Sequence, residues 1–154
     1  MSESNILGKS LHVKEKIKFD NGPGTGTSIS APSVMVVDDD PMILKLLIRF
    51  LTVMKIDVQG FVDPCEALEV FTKCPVAVVL TDLDMPGMDG IELLKKMKAI
   101  CPYSKIIIIT GYGDEMQEEK AFRAGATQFM EKPVQMQKLR TLVASLLDES
   151  PNEG

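Results

Sequence analysis

The sequence contains little histidine and little cysteine, and this limits the chemistry that it can perform. The only histidine is His12, so a Ser-His-Asp or Cys-His catalytic arrangement is not expected. The three cysteines, Cys65, Cys74 and Cys101, are odd in number and lack the CxxC spacing of a zinc site. We interpret them as reduced thiols, which are typical of a cytoplasmic protein.

Long apolar runs and an excess of positive charge are also absent. No apolar run reaches the roughly 18 residues that a membrane-spanning helix requires. The first ten residues, MSESNILGKS, contain no apolar segment of the signal-peptide type. The net charge of −5 disfavours nonspecific binding to nucleic acid or to an anionic membrane. These features predict a cytoplasmic protein without direct nucleic-acid or membrane binding.

Composition divides the 154 residues into one domain and two tails. The stretch NGPGTGTSISAPS is rich in Gly, Pro, Ser and Thr, which is typical of a linker. Before it, LHVKEKIKF alternates in part and hints at a short strand, although an isolated strand would have nothing to pair with. We predict a mobile or loosely docked tail over residues 1–32, a regular domain over 33–148 and a C-terminal tail over 149–154.

Short apolar runs alternate with helical patterns through the regular domain. Five runs predict strands: SVMVV, DVQGF, VAVVL, SKIIIIT and TQFM. They lack polar alternation, as expected of parallel strands that are covered on both faces. Pro41 suits the first turn of the first helix, and Asp40 can cap it. The pattern predicts an α/β fold with a doubly wound, five-stranded parallel sheet and five helices.

The first predicted helix, over residues 41–54, is apolar around most of its circumference. Its polar residues form only a narrow stripe of Lys45, Arg49 and Thr52. We therefore expect neighbouring elements to cover most of this helix.

Reactive side chains occur where the predicted strands end. They are Asp38, Asp39 and Asp40 after the first strand, Asp82 after the third, Thr110 at the end of the fourth and Lys132 after the fifth. Ligands of open α/β sheets bind beyond the carboxyl ends of the strands. We therefore expect these side chains to converge at one edge of the sheet.

Each of these residues also has a plain structural explanation. Asp40 is more typical of a helix cap than of a site residue. Thr110 alone could satisfy a backbone group, and Lys132 alone would most often be a solvated charge. Asp84 and Asp89 are consistent with turn formation, which is the preferred interpretation for Asp89. The complete set at successive strand ends is harder to explain in this way than any one member.

The residue types point to phosphoryl chemistry with a hard cation. Neighbouring strands lie about 4.8 Å apart, so Asp39 and Asp82 could share one ion. Clustered carboxylates repel one another unless they are protonated or bound to metal. Oxygen ligands without histidine or cysteine favour Mg²⁺ over zinc. Thr110 and Lys132 would complete a cradle for a phosphoryl group, in which an aspartate can form an acyl phosphate.

Four stretches, VMVVDDDP, VVLTDLDMPGMDG, IIIITGYGD and AGATQFMEKPV, occur in the order and spacing of one known family. Over residues 33–148 the sequence resembles a response-regulator receiver domain, similar to the chemotaxis regulator of two-component signalling. The resemblance implies the flavodoxin-like strand order 2-1-3-4-5. It also implies a phosphorylation-activated switch that catalyses only its own phosphorylation and slow autodephosphorylation, and not a metabolic enzyme.

The resemblance implies roles for the acidic residues. Asp82 would be the phosphoacceptor. Asp38, Asp39 and Asp82 would hold Mg²⁺, together with the backbone carbonyl of Asp84. The side chain of Asp84 would also tune the rate of dephosphorylation.

The resemblance further implies a set of switch residues. Thr110 and Lys132 would bind the phosphoryl group, and the peptide bond after Lys132 is often cis in the family. Phe129 would be the switch aromatic, although it could equally be a core residue. Gly111 would leave a path to the phosphoryl group, and Tyr112 would tune its loss.

The resemblance implies a sensor histidine kinase or phosphotransfer protein as donor and a downstream protein as target. Phosphorylation would reshape the face formed by the fourth and fifth helices and the last strand. We expect a monomer or weak dimer. With only ESPNEG after residue 148, the chain is either a single-domain regulator or a part cut from a larger protein.

Two alternatives stay open. Asp82-Leu83-Asp84 matches the DxD fragment of haloacid-dehalogenase-type phosphatases, but Pro86 stands where that family has Thr or Val. The acids Asp38 and Asp39 also lie upstream of the fragment, whereas that family has its other acids downstream. A receiver-like scaffold that is never phosphorylated would be free to lose the acid, hydroxyl and lysine set, which is intact here.

Overall fold

Five helices and six strands make up the described part of the chain, residues 10–11 and 33–148 of the computed structural model. The strands are β1 (Ser10–Leu11), β2 (Val34–Val37), β3 (Val58–Phe61), β4 (Val78–Asp82), β5 (Lys105–Thr110) and β6 (Gln128–Glu131). The helices are α1 (Pro41–Val53), α2 (Pro64–Lys73), α3 (Gly90–Ile100), α4 (Glu115–Ala124) and α5 (Met136–Asp148). His12, the predicted linker and the predicted C-terminal tail lie outside the described residues.

The strands form one sheet in the order β1-β3-β2-β4-β5-β6. The five predicted strands are all parallel, and their order confirms the predicted 2-1-3-4-5 arrangement. β1 is an addition that pairs antiparallel with β3, with Ser10 opposite Phe61 and Leu11 opposite Gly60. The expectation that a strand in this segment would have nothing to pair with is therefore wrong for Ser10–Leu11.

Alternate residues of the central strands enter two separate cores. In β5, Ile106 and Ile108 pack on the side of α2, α3 and α4, whereas Ile107 and Ile109 pack on the side of α1 and α5. All four isoleucines are almost completely buried. An uninterrupted apolar run is therefore what a strand with helices on both faces requires.

Helix α1 is less covered than its composition predicts. Leu44, Leu47, Ile48 and Leu51 face the core, but Met42, Leu46 and Val53 are 70%, 52% and 75% exposed. The expectation that most of this helix is covered is thus wrong, since only one side of it meets the sheet. No helix within residues 33–148 is long and apolar enough to cross a bilayer.

An aspartate caps the N-terminus of each of the helices α1 to α4. Asp40 accepts a hydrogen bond from the Met42 N–H, at 3.0 Å, and so caps α1 as predicted. Asp89 accepts from the Glu92 N–H at 2.8 Å at the start of α3. Both carboxylates stabilise helix N-termini, which supports the structural interpretation of Asp40 and Asp89.

The loop between β4 and α3 folds tightly back on the end of β4. Gly87 has φ +88°, which suits glycine in this turn. The Gly90 N–H donates to the Leu83 carbonyl at 2.8 Å, and a Cβ at Gly90 would clash with the backbone carbonyl of Asp82. The close approach of α3 to the strand therefore requires glycine at position 90.

We expect Gly90→Ala to lower the free energy of unfolding by roughly 2 kcal/mol or more, because the added methyl group meets backbone. Helix propensity alone predicts the opposite sign, since alanine is favoured over glycine by about 1 kcal/mol. Urea unfolding followed by circular dichroism measures the change. Gly111→Ala is the matched control, because the nearest atom to its added Cβ is Lys132 Cδ at 3.8 Å. Equal stability of Gly90→Ala and wild type would contradict the steric argument.

Candidate functional site

The carboxylate of Asp38 is buried directly after β2. Asp38 is only 2% exposed. Oδ1 accepts a hydrogen bond from the Asp40 N–H at 2.9 Å, and Oδ2 accepts one from Lys132 Nζ at 3.0 Å. The Asp38 N–H donates to the Phe61 carbonyl at 3.0 Å, which ties this residue to β3. Asp38 is therefore held in place by its own turn and by two distant segments, the end of β3 and the residue after β6.

Asp82 is the last residue of β4 and is 7% exposed. Its Oδ1 accepts a hydrogen bond from the Leu83 N–H at 2.8 Å and lies 3.4 Å from Lys132 Nζ. Both contacts are made by the same oxygen. Oδ2 is therefore the atom of this carboxylate that is not engaged in these two contacts.

Three of the predicted acids form one cluster. Carboxylate oxygens of Asp38, Asp39 and Asp82 lie within 4.8 Å of one another. Asp38 and Asp82 are buried, whereas Asp39 is exposed, so the cluster opens to solvent on the side of Asp39. An all-oxygen set with one open side fits Mg²⁺, which prefers carboxylates and retains several waters.

Burial and mutual repulsion control the charges of the cluster. Burial, followed by the charge of Asp38, raises the pKa of Asp82 to about 6, although Lys132 opposes the shift. Burial also raises the pKa of Asp38, against the hydrogen bonds from the Asp40 N–H and from Lys132. Burial lowers the pKa of Lys132, but the two carboxylates outweigh it and the net shift is upward. Burial thus opposes ionisation of both Asp38 and Asp82, and a divalent cation bound between them would favour their ionised forms.

Thr110 and Lys132 lie at the same edge of the sheet. Thr110 ends β5 and is completely buried, and its Oγ1 accepts a hydrogen bond from the Tyr112 N–H at 3.2 Å. The Lys132 N–H donates to the Thr110 carbonyl at 2.8 Å, which fixes the lysine beside the end of β5. The peptide bond between Lys132 and Pro133 is cis, as predicted.

Phe129 contacts the loop that follows Thr110. The ring is half-buried on β6 and packs against the core on the side of α2, α3 and α4. A Cβ at Gly113 would lie 2.8 Å from ring atoms of Phe129 and 2.9 Å from Thr110 Cγ2. A side chain at position 113 would therefore meet both Phe129 and Thr110.

Sequence reasoning missed Gly90 and Gly113. The available signals were the Met88-Asp89-Gly90 end of one motif and the Gly-Tyr-Gly of another. Those signals indicate turns, but they do not show at which glycine neighbouring atoms leave no room for a side chain. Of the predicted tuning residues, Gly111 and Asp84 are exposed and Tyr112 is 84% exposed. None of these three belongs to the carboxylate cluster.

The sequence matches the family model described as "Response regulator receiver domain" over residues 34–144. This span includes all the carboxylates, the hydroxyl and the lysine of the site.

Curated relatives and solved structures are similar to this chain. The C4-dicarboxylate transport transcriptional regulatory protein DctD of Rhizobium meliloti (strain 1021) is 34% identical over 110 residues, which cover 71% of this chain and 24% of that protein. The transcriptional regulatory protein FixJ of Bradyrhizobium diazoefficiens is 34% identical over 117 residues, covering 76% of this chain and 57% of that protein. The matched part of this chain thus spans about a quarter of the length of DctD and somewhat over half of the length of FixJ.

A solved structure shows the same fold. The response regulator receiver domain protein (CheY-like) from Methanospirillum hungatei JF-1 has a TM-score of 0.76 and 30% sequence identity. The match covers 81% of this chain and 100% of that structure.

The raised pKa of Asp82 predicts how stability depends on pH without divalent cations. The folded state binds the Asp82 proton more tightly than the unfolded state, because the pKa is about 6 instead of 3.8. The stability that this proton contributes is present below the ordinary pKa and is lost as the pH rises through about 6. We expect the free energy of unfolding of Asp82→Asn to be higher than that of wild type by up to about 3 kcal/mol at pH 7. At pH 4 the two values should be nearly equal.

Urea unfolding in EDTA at several pH values measures this difference. Asp89→Asn is the control, because its exposed side chain caps α3 and asparagine caps a helix about as well. Its stability should follow that of wild type at each pH. An Asp82→Asn variant that is less stable than wild type at pH 7 would contradict the electrostatic account.

Proposed function

This chain belongs to the response-regulator receiver family of two-component signalling, and we propose that it is a switch phosphorylated on Asp82. One observation carries the proposal: a single ammonium, Lys132 Nζ, lies 3.0 Å from Asp38 and 3.4 Å from Asp82. It thus joins the acidic pair to the proposed phosphoacceptor. The same cation would then stabilise negative charge on a phosphoryl group bound to Asp82.

Asp82 Oδ2 is the proposed nucleophile. Oδ1 already accepts from the Leu83 N–H and lies near Lys132, which orients the carboxylate. Oδ2 would form a bond to phosphorus while the bond between phosphorus and the donor group breaks. The product is an acyl phosphate on Asp82.

Asp38, Asp39 and Asp82 would hold Mg²⁺, with the backbone carbonyl of Asp84 as a further ligand. The cluster geometry, with one exposed and two buried carboxylates, supports this assignment. When bound, the ion would neutralise charge on the carboxylates and on the phosphoryl oxygens. The protein positions the acids by ending β2 and β4 side by side in the sheet.

Phosphorylation would act on the rest of the domain through Thr110. Its hydroxyl accepts a hydrogen bond from the Tyr112 N–H at 3.2 Å, and we propose that it turns to bind the phosphoryl group instead. Phe129 would move with it, because both side chains lie close to the same point of the backbone, at Gly113. The change would reshape the face formed by α4, β6 and α5. Gly111, Asp84 and Tyr112 would control access to the phosphoryl group and its rate of loss.

The proposed partners follow from the family and from the charge. A histidine kinase or phosphotransfer protein would donate the phosphoryl group, and a downstream protein would read the altered face. DctD and FixJ are transcriptional regulatory proteins, of which this chain matches only a part. For this chain we propose a receiver domain over residues 33–148, flanked by tails over 1–32 and 149–154. It would work in the cytoplasm through protein contacts, without direct nucleic-acid binding.

Incubation with acetyl phosphate and Mg²⁺ tests the switch. We expect intact-mass spectrometry to show one phosphoryl adduct on wild type and on the Asp89→Asn control. The adduct should be absent from Asp82→Asn, and absent from wild type in EDTA. No adduct on wild type, with no Mg²⁺ binding, would favour the scaffold alternative. Rapid multiple-turnover hydrolysis of acetyl phosphate would favour the phosphatase alternative.

Thermal unfolding with and without Mg²⁺ tests the metal site separately. Millimolar Mg²⁺ should stabilise wild type by about 1 to 2 kcal/mol, because it binds the folded state alone. Asp39→Asn should lose most of this stabilisation. Asp84→Asn is the matched control and should keep it, because its proposed ligand is the backbone carbonyl. Equal stabilisation of wild type and Asp39→Asn would contradict the assigned ligands.

A further inference from the structure

The two edges of the parallel part of the sheet differ in how they resist unwanted strand pairing. β6 ends in the exposed Glu131, and Lys132 and Pro133 follow at once. Charged side chains and proline are the usual protections of an edge strand. β3 has the sequence VQGF, with neither charge nor proline, and all four residues are buried. Within their own bounds, β6 therefore ends in a charged residue and β3 contains none, whereas flanking charge and proline occur at both strands, as Lys132 and Pro133 after β6 and as Asp63 and Pro64 after β3.

The pairing groups of β3 that point away from the sheet can be identified from its hydrogen bonds. The Phe61 carbonyl accepts from the Asp38 N–H on the β2 side. Neighbouring residues of a strand direct their N–H and C=O groups to opposite sides, so those of Gly60 face the other edge. Leu11 of β1 lies directly opposite Gly60. In an antiparallel pair, the backbone of Leu11 therefore meets the outward groups of Gly60.

We propose that β1 is a built-in cap of the β3 edge: Ser10–Leu11 of the same chain occupies the outward pairing groups of β3 and prevents a second copy from pairing there. An edge strand without charge and with a glycine, as in VQGF, would otherwise accept another strand. This inference is independent of the proposed function, since it requires neither phosphorylation of Asp82 nor a bound metal ion.

The connection between β1 and β2 fits a cap from the same chain. Leu11 lies beside Gly60, and the Ser33 N–H donates to the Asp57 carbonyl at 3.0 Å, so both ends of the connection are attached to the same strand region. The two ends lie about three residues apart along the strand direction and two strand spacings apart across the sheet. The distance between them is therefore roughly 14 Å. Residues 12–32 can span a much larger distance, so the cap does not require a second copy.

The short length of β1 makes the cap weak by itself. Each backbone hydrogen bond contributes only about 1 kcal/mol net, and one pair of residues supplies few of them. Attachment to the same chain compensates, because it gives β1 a high effective concentration at the edge. Loss of the Leu11 backbone contact should therefore uncover β3.

Proline substitution in the full-length chain tests this arrangement at two adjacent positions. Leu11→Pro removes the N–H that faces Gly60. Ser10→Pro is the matched control, because the N–H of Ser10 faces away from β3 and its loss removes no contact with that strand. Amide hydrogen exchange, followed by NMR on ¹⁵N-labelled protein, reports the result at Gly60. The amides of Gln59 and Phe61 face β2 and serve as internal references.

We expect the Gly60 amide to exchange at least about tenfold faster in Leu11→Pro than in wild type or Ser10→Pro. Sedimentation velocity should show that Leu11→Pro self-associates as its concentration rises, whereas wild type and Ser10→Pro do so much less. Unchanged Gly60 exchange in Leu11→Pro would overturn the cap. Faster exchange without self-association would overturn its protective role. Wild-type Gly60 protection that disappears on dilution would show that β1 comes from a second copy and would overturn capping by the same chain.

Discussion

The ammonium group of Lys132 is the interaction on which the site depends. It lies 3.0 Å from Asp38 and 3.4 Å from Asp82, although Asp38 and Lys132 are 94 residues apart in the sequence. Burial and repulsion between carboxylates raise the pKa values of Asp38 and Asp82 and so disfavour their ionised forms. Lys132 acts in the opposite direction and lowers both pKa values. The parallel order of β2, β4, β5 and β6 is what brings the three groups together, because each strand ends at the same edge of the sheet.

Much of the fold and of the site could be predicted because the physical causes are local in the sequence. The isoleucine run of β5 indicates a strand covered on both faces, and both cores use it. Asp40 precedes Pro41, and this order predicts the cap of α1 that the structure confirms. The convergence of Asp38, Asp82 and Lys132 follows from the parallel sheet, since only the edge where strands end can collect such side chains.

Other features could not be predicted because they depend on neighbours that the sequence does not reveal. The apolar circumference of α1 predicts burial, but Met42 and Val53 are 70% and 75% exposed. The partner of Ser10–Leu11 is the edge of β3, which no local pattern identifies. A side chain at position 90 would clash with the backbone of Asp82, and one at position 113 would meet the side chains of Phe129 and Thr110. Sequence reasoning thus finds chemistry at strand ends more readily than close packing between segments.

The central claim is that Asp82, among several clustered acids, accepts the phosphoryl group. Borohydride reduction of the phosphorylated protein converts an aspartyl phosphate to homoserine, and tandem mass spectrometry then locates the converted residue. The account predicts homoserine at position 82 alone, in protein treated with acetyl phosphate and Mg²⁺. Homoserine at Asp38, Asp39 or Asp84, or at no aspartate of a protein that carries the phosphoryl adduct, would contradict it.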